Sequence, residues 1–292
     1  METLEALRRR IQSAQDLYGI IRTMKALAAA SIRQFEQAVE AVDIYTRTVD
    51  TGLRIVLQDQ SPQMEKILNR QNVETLAVIF GTDQGMCGQF NENIVSFALR
   101  EHENVGAKKM IIGQRAGSRV VEAGNSFEKL CSVPSSVDGI NPAVQSLLLE
   151  INRQRARASV QAVTLYYTRP GPGSSYQPVR VQLIPVDMSL FRAPVQELCP
   201  SRSLPMYTME QEHLLSRLVS QYLFAQLYRA YAGSLASENA SRLMTMQAAE
   251  KNIEERLGEL NAEYHGQRQG AITSELLDIV SGVESLGNQS LL

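Results

Sequence analysis

The sequence has no tryptophan and few cysteines, and the cysteines follow no metal-binding or disulfide pattern. Cys87, Cys131 and Cys199 are far apart, odd in number and form no C-x-x-C pair. This usage argues against a zinc site or a disulfide framework and favours a reducing compartment. We therefore expect no metal and no cofactor.

Long apolar runs and a charge excess are missing too. No stretch approaches the roughly 18 apolar residues of a membrane span, and segment 18–30 is interrupted by Arg22 and Lys25. Residues 1–10 carry two glutamates and three arginines, which is unlike a signal peptide. The 29 basic and 31 acidic side chains give a net charge of −2, which argues against a nucleic-acid-binding protein. Any membrane association is expected to go through another protein.

Phosphate-binding motifs are also absent. Loop 81–88 has the right context for a phosphate-binding turn, but its glycines are spaced G-x-x-x-G-x-x-G. The dinucleotide fingerprint needs G-x-G-x-x-G, and the Walker string G-x-x-x-x-G-K-[ST] occurs nowhere. The loop is predicted to be a structural turn that uses the conformational freedom of glycine, and Cys87 a buried structural thiol. His102, His213 and His265 have no metal-ligand spacing.

Proline is absent from residues 208–286, where apolar residues recur at helical spacing. One continuous helix there would extend about 120 Å. An average helix has only roughly 11–12 residues. Such a helix needs a partner along its length. Thr208 and Gln211 form a capping box that predicts its start. The apolar face shifts around 267–270, beside Arg268 and Gln269.

The N-terminal segment supplies the candidate partner. Alternate steps of three and four residues from Leu4 to Val56 meet apolar or aromatic side chains everywhere except Lys25 and Thr46. Such a sustained seam is typical of a coiled coil, and an amphipathic helix on a globular core is the alternative interpretation. A charge at Lys25 is costly unless it reaches solvent or a carboxylate. A second apolar stripe lies beside the seam at Leu17, Ile20, Met24 and Leu27.

Between these helices, strand-like and helix-like segments alternate. Strands are predicted at 73–80, 110–113, 127–133, 160–168 and 179–186, with helices near 61–62, 90–100, 118–122 and 141–157. Loop 169–178 predicts a hairpin, and 187–205 is interpreted as a surface linker. The predicted fold is α+β: a long antiparallel coiled coil of the N- and C-terminal helices with an inserted Rossmann-like α/β domain. The expected division of the chain is 1–58, 73–186 and 207–288.

Three sequence blocks carry a family resemblance. They are 21–30 (IRTMKALAAA), 83–91 (DQGMCGQFN) and a C-terminal block that starts at 237 (SENASRLM) and continues through Arg268-Gln269, 272–276 (ITSEL) and 279–282 (IVSG). With the helix–α/β–helix order, they resemble the gamma subunit of F-type ATP synthases, the central-stalk rotor. Segments 31–34 and 88–91 depart from the usual family strings and are similar to an alternate, sodium-linked bacterial branch. The paired-cysteine insertion of the chloroplast form is absent.

The resemblance implies a non-catalytic rotor at the cytoplasmic face of the bacterial inner membrane, attached peripherally. Its partners would be the alpha and beta subunits of the catalytic ring, the epsilon subunit and the membrane c-ring. Met24 and Lys25 would face an acidic lever segment of the beta subunit. Ring contacts would continue farther along, at Arg268, Gln269, Ile272, Glu275 and Leu276.

Two other hypotheses remain open from the residues alone. One is a stand-alone coiled-coil scaffold with a Rossmann-like module. The other is an enzyme that uses the α/β domain, and the missing phosphate motifs weigh against it. Recovery of alpha and beta subunits with the chain would separate a rotor from a scaffold.

Overall fold

The computed structural model describes residues 3–57, 74–102, 108–158, 160–171, 175–191 and 206–289. The helices are α1 (Leu4–Leu57), α2 (Phe90–His102), α3 (Gln114–Glu122), α4 (Ile140–Ala158) and α5 (Gln211–Gln289). The strands are β1 (Thr75–Phe80), β2 (Lys108–Ile112), β3 (Lys129–Cys131), β4 (Ala162–Pro170) and β5 (Tyr176–Ile184), followed by a 3-10 turn at Met188–Phe191. Within the described ranges, no helix combines the length and the hydropathy needed to cross a bilayer.

The chain forms two compact units. The terminal unit contains Met1–Leu27 and Met244–Leu292, and the sheet unit contains Ala28–Leu243. The helices α1, of 54 residues, and α5, of 79 residues, each contribute to both units.

The terminal unit is an antiparallel helix pair. Tyr18 on α1 bonds to Glu254 on α5, and Lys25, farther along α1, bonds to Glu250. Residue numbers thus rise on one helix as they fall on the other. The seam between them buries large apolar side chains, among them Leu7, Met246 and Leu260. The predicted pairing of the two ends of the chain is confirmed.

The sheet unit is built on one five-stranded sheet with the order β3-β2-β1-β4-β5. All neighbours are parallel except the β4–β5 hairpin, as a mixed sheet with a terminal hairpin predicts. The hairpin loop is shorter than predicted because the ladder continues to the pair Pro170–Tyr176. Pro178 is tolerated because β5 is an edge strand.

Alternation along β1 separates two cores. Leu76, Val78 and Phe80 enter a core shared with α1, α4 and α5. Ala77 and Ile79 point to the other face, where α2 and α3 cover them. Successive strand residues point to opposite faces, so one strand serves both cores. Both long helices therefore help to bury the sheet.

The start of α5 differs from the prediction. The helix begins at Gln211 rather than after a Thr208 cap, so the capping box is wrong. The Gln211 side-chain amide instead donates to the backbone oxygen of Val56, at 3.0 Å. The last carbonyls of α1 lack helical donors, and this amide supplies one.

Part of the predicted linker is packed. Met188–Phe191 forms the 3-10 turn, and the Phe191 ring is buried against Tyr222, with ring centroids 5.5 Å apart. This part of 187–205 is therefore not a surface segment. The remainder of the linker and the short helix predicted near 61–62 lie outside the described residues.

Candidate functional site

Lys25 pairs with a carboxylate of its own chain. Its Nζ donates to Glu250 Oε2 on α5, and the two side chains are 34% and 15% exposed. The charge in the seam is therefore satisfied, as the sequence required. Tyr18 donates to Glu254 Oε1 at 2.7 Å, and this bond to a carboxylate raises the pKa of the Tyr18 phenol. Polar pairs inside an apolar seam favour one register over its neighbours.

The second stripe of α1 lies outside the seam. Leu17, Ile20 and Leu27 are 52%, 54% and 68% exposed, and Met24 among them is half-buried. The spacing of these side chains places them on one face of α1, and that face is exposed rather than packed within the unit. Met24 and Lys25 therefore lie on α1 at the boundary between the buried seam and this exposed stripe.

A second exposed region lies on α5. Gln267 and Ala271 are half-buried, whereas Arg268 and Gln269 are exposed. The apolar residues that follow on α5 are exposed rather than buried within the unit. They are Ile272, Leu276, Leu277, Ile279 and Val280, all 47% exposed or more, and Glu275 among them is exposed as well.

The predicted site residues therefore form two zones. Met24 and Lys25 lie beside Glu250, and Arg268 lies eighteen residues farther along α5. At 1.5 Å per residue the zones are roughly 27 Å apart along the helix. The structure brings Met24 and Lys25 together, and separately Arg268 through Leu276, but does not join the two sets.

Loop 81–88 is the structural turn that the glycine spacing predicted. The Asp83 carboxylate accepts from the backbone N–H groups of Gln114 and Val133, both at 2.8 Å. Gly88 has a φ of +57°, which favours glycine. At Gly81 the reason is space, because a Cβ there would lie 2.2 Å from the Ala116 Cβ.

Helix α5 holds this loop with a buried ion pair that the sequence analysis missed. Arg242 Nη2 donates to Glu238 Oε1 at 2.6 Å and to the Gly85 oxygen at 3.4 Å. Both side chains are 8% exposed, and burial raises the pKa of the Glu238 carboxyl. Ser241 Oγ donates to the Cys87 oxygen at 2.7 Å. A usable signal was present, because residues 230–237, just before Glu238, are small or apolar and indicate a helix buried on all sides.

Cys87 is buried, as predicted, and burial raises the pKa of its thiol. The protonated thiol is a poor nucleophile. Among the described residues, no three His, Cys, Asp or Glu side chains are grouped to hold a metal ion. The arrangement of exposed apolar faces and internal ion pairs suits contact with other proteins.

Solved structures share this fold. The chain is 22% identical to a chain in the central stalk and c-ring of the Tetrahymena thermophila mitochondrial ATP synthase, with a TM-score of 0.59, covering 79% of this chain and 99% of that one. It is 18% identical to a chain of the Euglena gracilis mitochondrial ATP synthase, in a structure of OSCP, F1 and c-ring, with a TM-score of 0.65, covering 99% of this chain and 96% of that one.

Curated relatives match over almost their full length. The ATP synthase gamma chain of Geotalea uraniireducens is 28% identical over 295 residues, covering 98% of this chain and 99% of the relative. The gamma chain of a Synechococcus species is 28% identical over 322 residues, with the same coverage. A family model described as ATP synthase matches residues 3–286. The chain belongs to the ATP synthase gamma-chain family.

Proposed function

We infer that this chain is the central-stalk rotor subunit of an F-type ATP synthase. It couples ion-driven rotation of a membrane c-ring to sequential conformational changes in a catalytic ring. The observation that carries this conclusion is the family match over residues 3–286, which includes both long helices and the sheet. The gamma chain is a non-catalytic subunit of its complex.

A rotor acts through differential contact. A ligand shifts a conformational equilibrium only when it binds two states with different free energies. The terminal unit presents the apolar stripe of Leu17, Ile20 and Leu27, and elsewhere on its helices it exposes charged side chains such as Arg9 and Lys251. As the shaft turns, each catalytic subunit meets a different face, and its populated state changes. Hydrolysis runs the same cycle in reverse.

The proposed partners divide between the terminal unit and the inserted α/β domain. The alpha and beta subunits would surround the terminal unit, which carries the exposed apolar faces. The epsilon subunit and the c-ring would attach at the inserted α/β domain. We keep the division 1–58, 73–186 and 207–288 as the proposed functional one. The complex is membrane-associated, and we place it at the cytoplasmic face of a bacterial inner membrane.

Met24 and Lys25 form the proposed contact with an acidic lever segment of the beta subunit. Lys25 has three donors on its ammonium group, and the bond to Glu250 uses one. With 34% of the side chain exposed, the remaining donors can meet a partner carboxylate. Met24 adds a flexible apolar contact beside them.

Arg268 and Gln269 form the proposed latch against loops of the ring. Both are exposed, and Arg offers a planar fork of donors while Gln offers a donor and an acceptor. Beyond them, Ile272, Glu275 and Leu276 would lie in the sleeve of the ring. The exposure of Ile272 and Leu276, 47% and 58%, supports an apolar partner there.

Purification from the native membrane tests the rotor against the scaffold hypothesis. An affinity tag on the chain should recover alpha and beta subunits in a fixed ratio together with ATPase activity. The untagged strain is the control. Recovery of the chain without these subunits would favour the stand-alone scaffold.

A further inference from the structure

Glu250 lies deeper in the helix seam than the lysine that it binds. Lys25 Nζ donates to Glu250 Oε2, and the exposed fractions of the two side chains are 34% and 15%. Among the described residues, Glu250 is the acceptor recorded for the Lys25 ammonium group. The proposed lever contact would use the donors that remain. Two carboxylates, that of Glu250 and that of the lever, would then share one ammonium group.

Four charged side chains lie together around the Tyr18 hydroxyl. The hydrogen bond to Glu254 raises the pKa of the Tyr18 phenol, the charge of Glu250 raises it further, and the charge of Arg22 lowers it. Lys25 belongs to the same group of charges through its bond to Glu250. The two cations and the two carboxylates sum to zero. A carboxylate that approaches from a partner therefore meets a cluster without net charge.

The lack of net charge limits the range of the attraction. A single cation at the surface attracts a carboxylate over about 8–10 Å at moderate salt. Beside Lys25, the repulsion from Glu250 offsets most of this attraction at long distance, because both groups are then almost equally far from the incoming charge. At hydrogen-bond distance the ammonium group is nearer and its attraction dominates. Such a contact forms on close approach and is easily broken.

We propose that Glu250 sets the strength of the contact between Lys25 and the beta-subunit lever. This inference rests on the proposed rotor function. The Glu250 carboxylate weakens the bond to the lever while the lever is present, and it keeps the Lys25 charge paired when the shaft has turned the lever away. Without Glu250, the rotary position that holds the lever would be stabilised. The barrier to the next position would rise, and turnover would slow.

ATP hydrolysis by the purified complex, measured at saturating ATP over a series of salt concentrations, tests the proposal. Glu250→Gln keeps the size of the side chain and an acceptor oxygen but removes the charge. At low salt, this variant should turn over about two- to fivefold more slowly than the parent, as expected for one partly exposed charge. The difference should vanish as salt shortens the Debye length to about 3 Å. A loss of stability would instead slow turnover at every salt concentration.

A double-mutant cycle shows whether the effect passes through Lys25. Lys25→Gln removes the ammonium group, so adding Glu250→Gln in that background should have no further effect on the low-salt rate. Glu255→Gln is the matched control, because Glu255 is an exposed glutamate of the same helix whose partner is Lys251, at 3.8 Å. This control should hydrolyse ATP at the parental rate.

Three results overturn the proposal. They are a parental rate for Glu250→Gln at low salt, the same slowing by Glu250→Gln in the Lys25→Gln background, and equal slowing by Glu255→Gln. Failure of the rotor function itself is seen earlier and separately. Recovery of the parent chain without alpha and beta subunits would overturn that function, and this inference with it, before any variant is compared.

Discussion

At the residue scale, Lys25 has two possible carboxylate partners, one in its own chain and one in the proposed beta-subunit lever. The bond to Glu250 is present within the terminal unit. The need of Lys25 for solvent or a carboxylate followed from its place in an apolar seam. The identity of its partner did not follow from the sequence. Several acidic residues of α5 have the same helical spacing, and spacing within one helix does not show how two helices align.

Lys25→Glu should destabilise the chain and impair coupling in the complex. It places two carboxylates against each other in the seam, at a cost on the order of 1 kcal/mol in urea unfolding. Through like-charge repulsion with the lever, it should also lower ion pumping per ATP hydrolysed, with assembly intact. The charge-swapped variant Lys25→Glu/Glu250→Lys should recover stability but not coupling. Normal coupling in the swapped variant would remove the lever contact and leave an intrachain role.

Arg268→Ala with Gln269→Ala should change the turnover of the assembled complex at unchanged subunit ratio. Both side chains are exposed, so little stability is at stake. A latch that bonds to the ring in some rotary positions alters the barrier between them. The control is Arg256→Ala with Glu259→Ala, which removes an exposed pair on the same helix. Parental turnover in the first variant would mean that the pair is merely solvated.

Glu238→Ala should be one of the most destabilising single changes in the chain. It leaves the buried Arg242 charge without its carboxylate, which costs about 3–5 kcal/mol. Glu259→Ala breaks the exposed bond to Arg256 and should change the free energy of unfolding by less than about 0.5 kcal/mol. Urea denaturation compares them. Similar small losses in both would mean that Arg242 finds other acceptors or water.

At the element scale, the spacing of apolar residues predicted which segments form helices and strands. It did not predict the features that depend on contacts between these elements. The α1 seam was predicted correctly because apolar side chains recur at most of its positions over the full length of the helix. The predicted start of α5 was wrong because the Gln211 side chain bonds to Val56 of another helix. The pair Glu238–Arg242 was missed because its spacing also fits a solvent-exposed salt bridge. The contact of Gln211 with Val56 joins segments far apart in sequence and leaves no local signal.

The glycines of α5 allow a test of helix propensity against packing. Gly258, Gly266 and Gly270 have nothing within 4 Å of the position of an added Cβ. Substitution of each by Ala should stabilise the chain by about 0.8–1 kcal/mol. Gly81→Ala is the contrast, because its Cβ would clash with Ala116 at 2.2 Å. Thermal unfolding of the four variants gives the comparison, and destabilisation by the helix substitutions would contradict it.

At the scale of the whole molecule, the sheet depends on both long helices. Phe35 of α1 and Leu227 of α5 pack in one core with Val78 and Leu165 of the sheet. This core joins residues far apart in sequence. The α/β segment by itself therefore lacks part of the cover of one sheet face.

Fragments should reveal this dependence. Residues 28–243, the whole sheet unit, should unfold in a single cooperative transition. Residues 74–191 should bind the dye ANS and melt without a sharp transition, because an apolar face of the sheet is left open. Circular dichroism and calorimetry measure both. Cooperative melting of the shorter fragment would show that α1 and α5 are dispensable for the core.

The burial of one sheet face by α5 also sets an order of events on the ribosome. The last strand ends at Ile184, but α5 residues such as Leu227 and Leu235 belong to the core that closes over the sheet. At about 5–20 residues per second, the nascent sheet stays partly uncovered for on the order of 3–10 s. During that interval its apolar face is a target for chaperones and for neighbouring nascent chains. The sheet unit therefore becomes resistant to aggregation only after α5 has left the exit tunnel as far as Leu235.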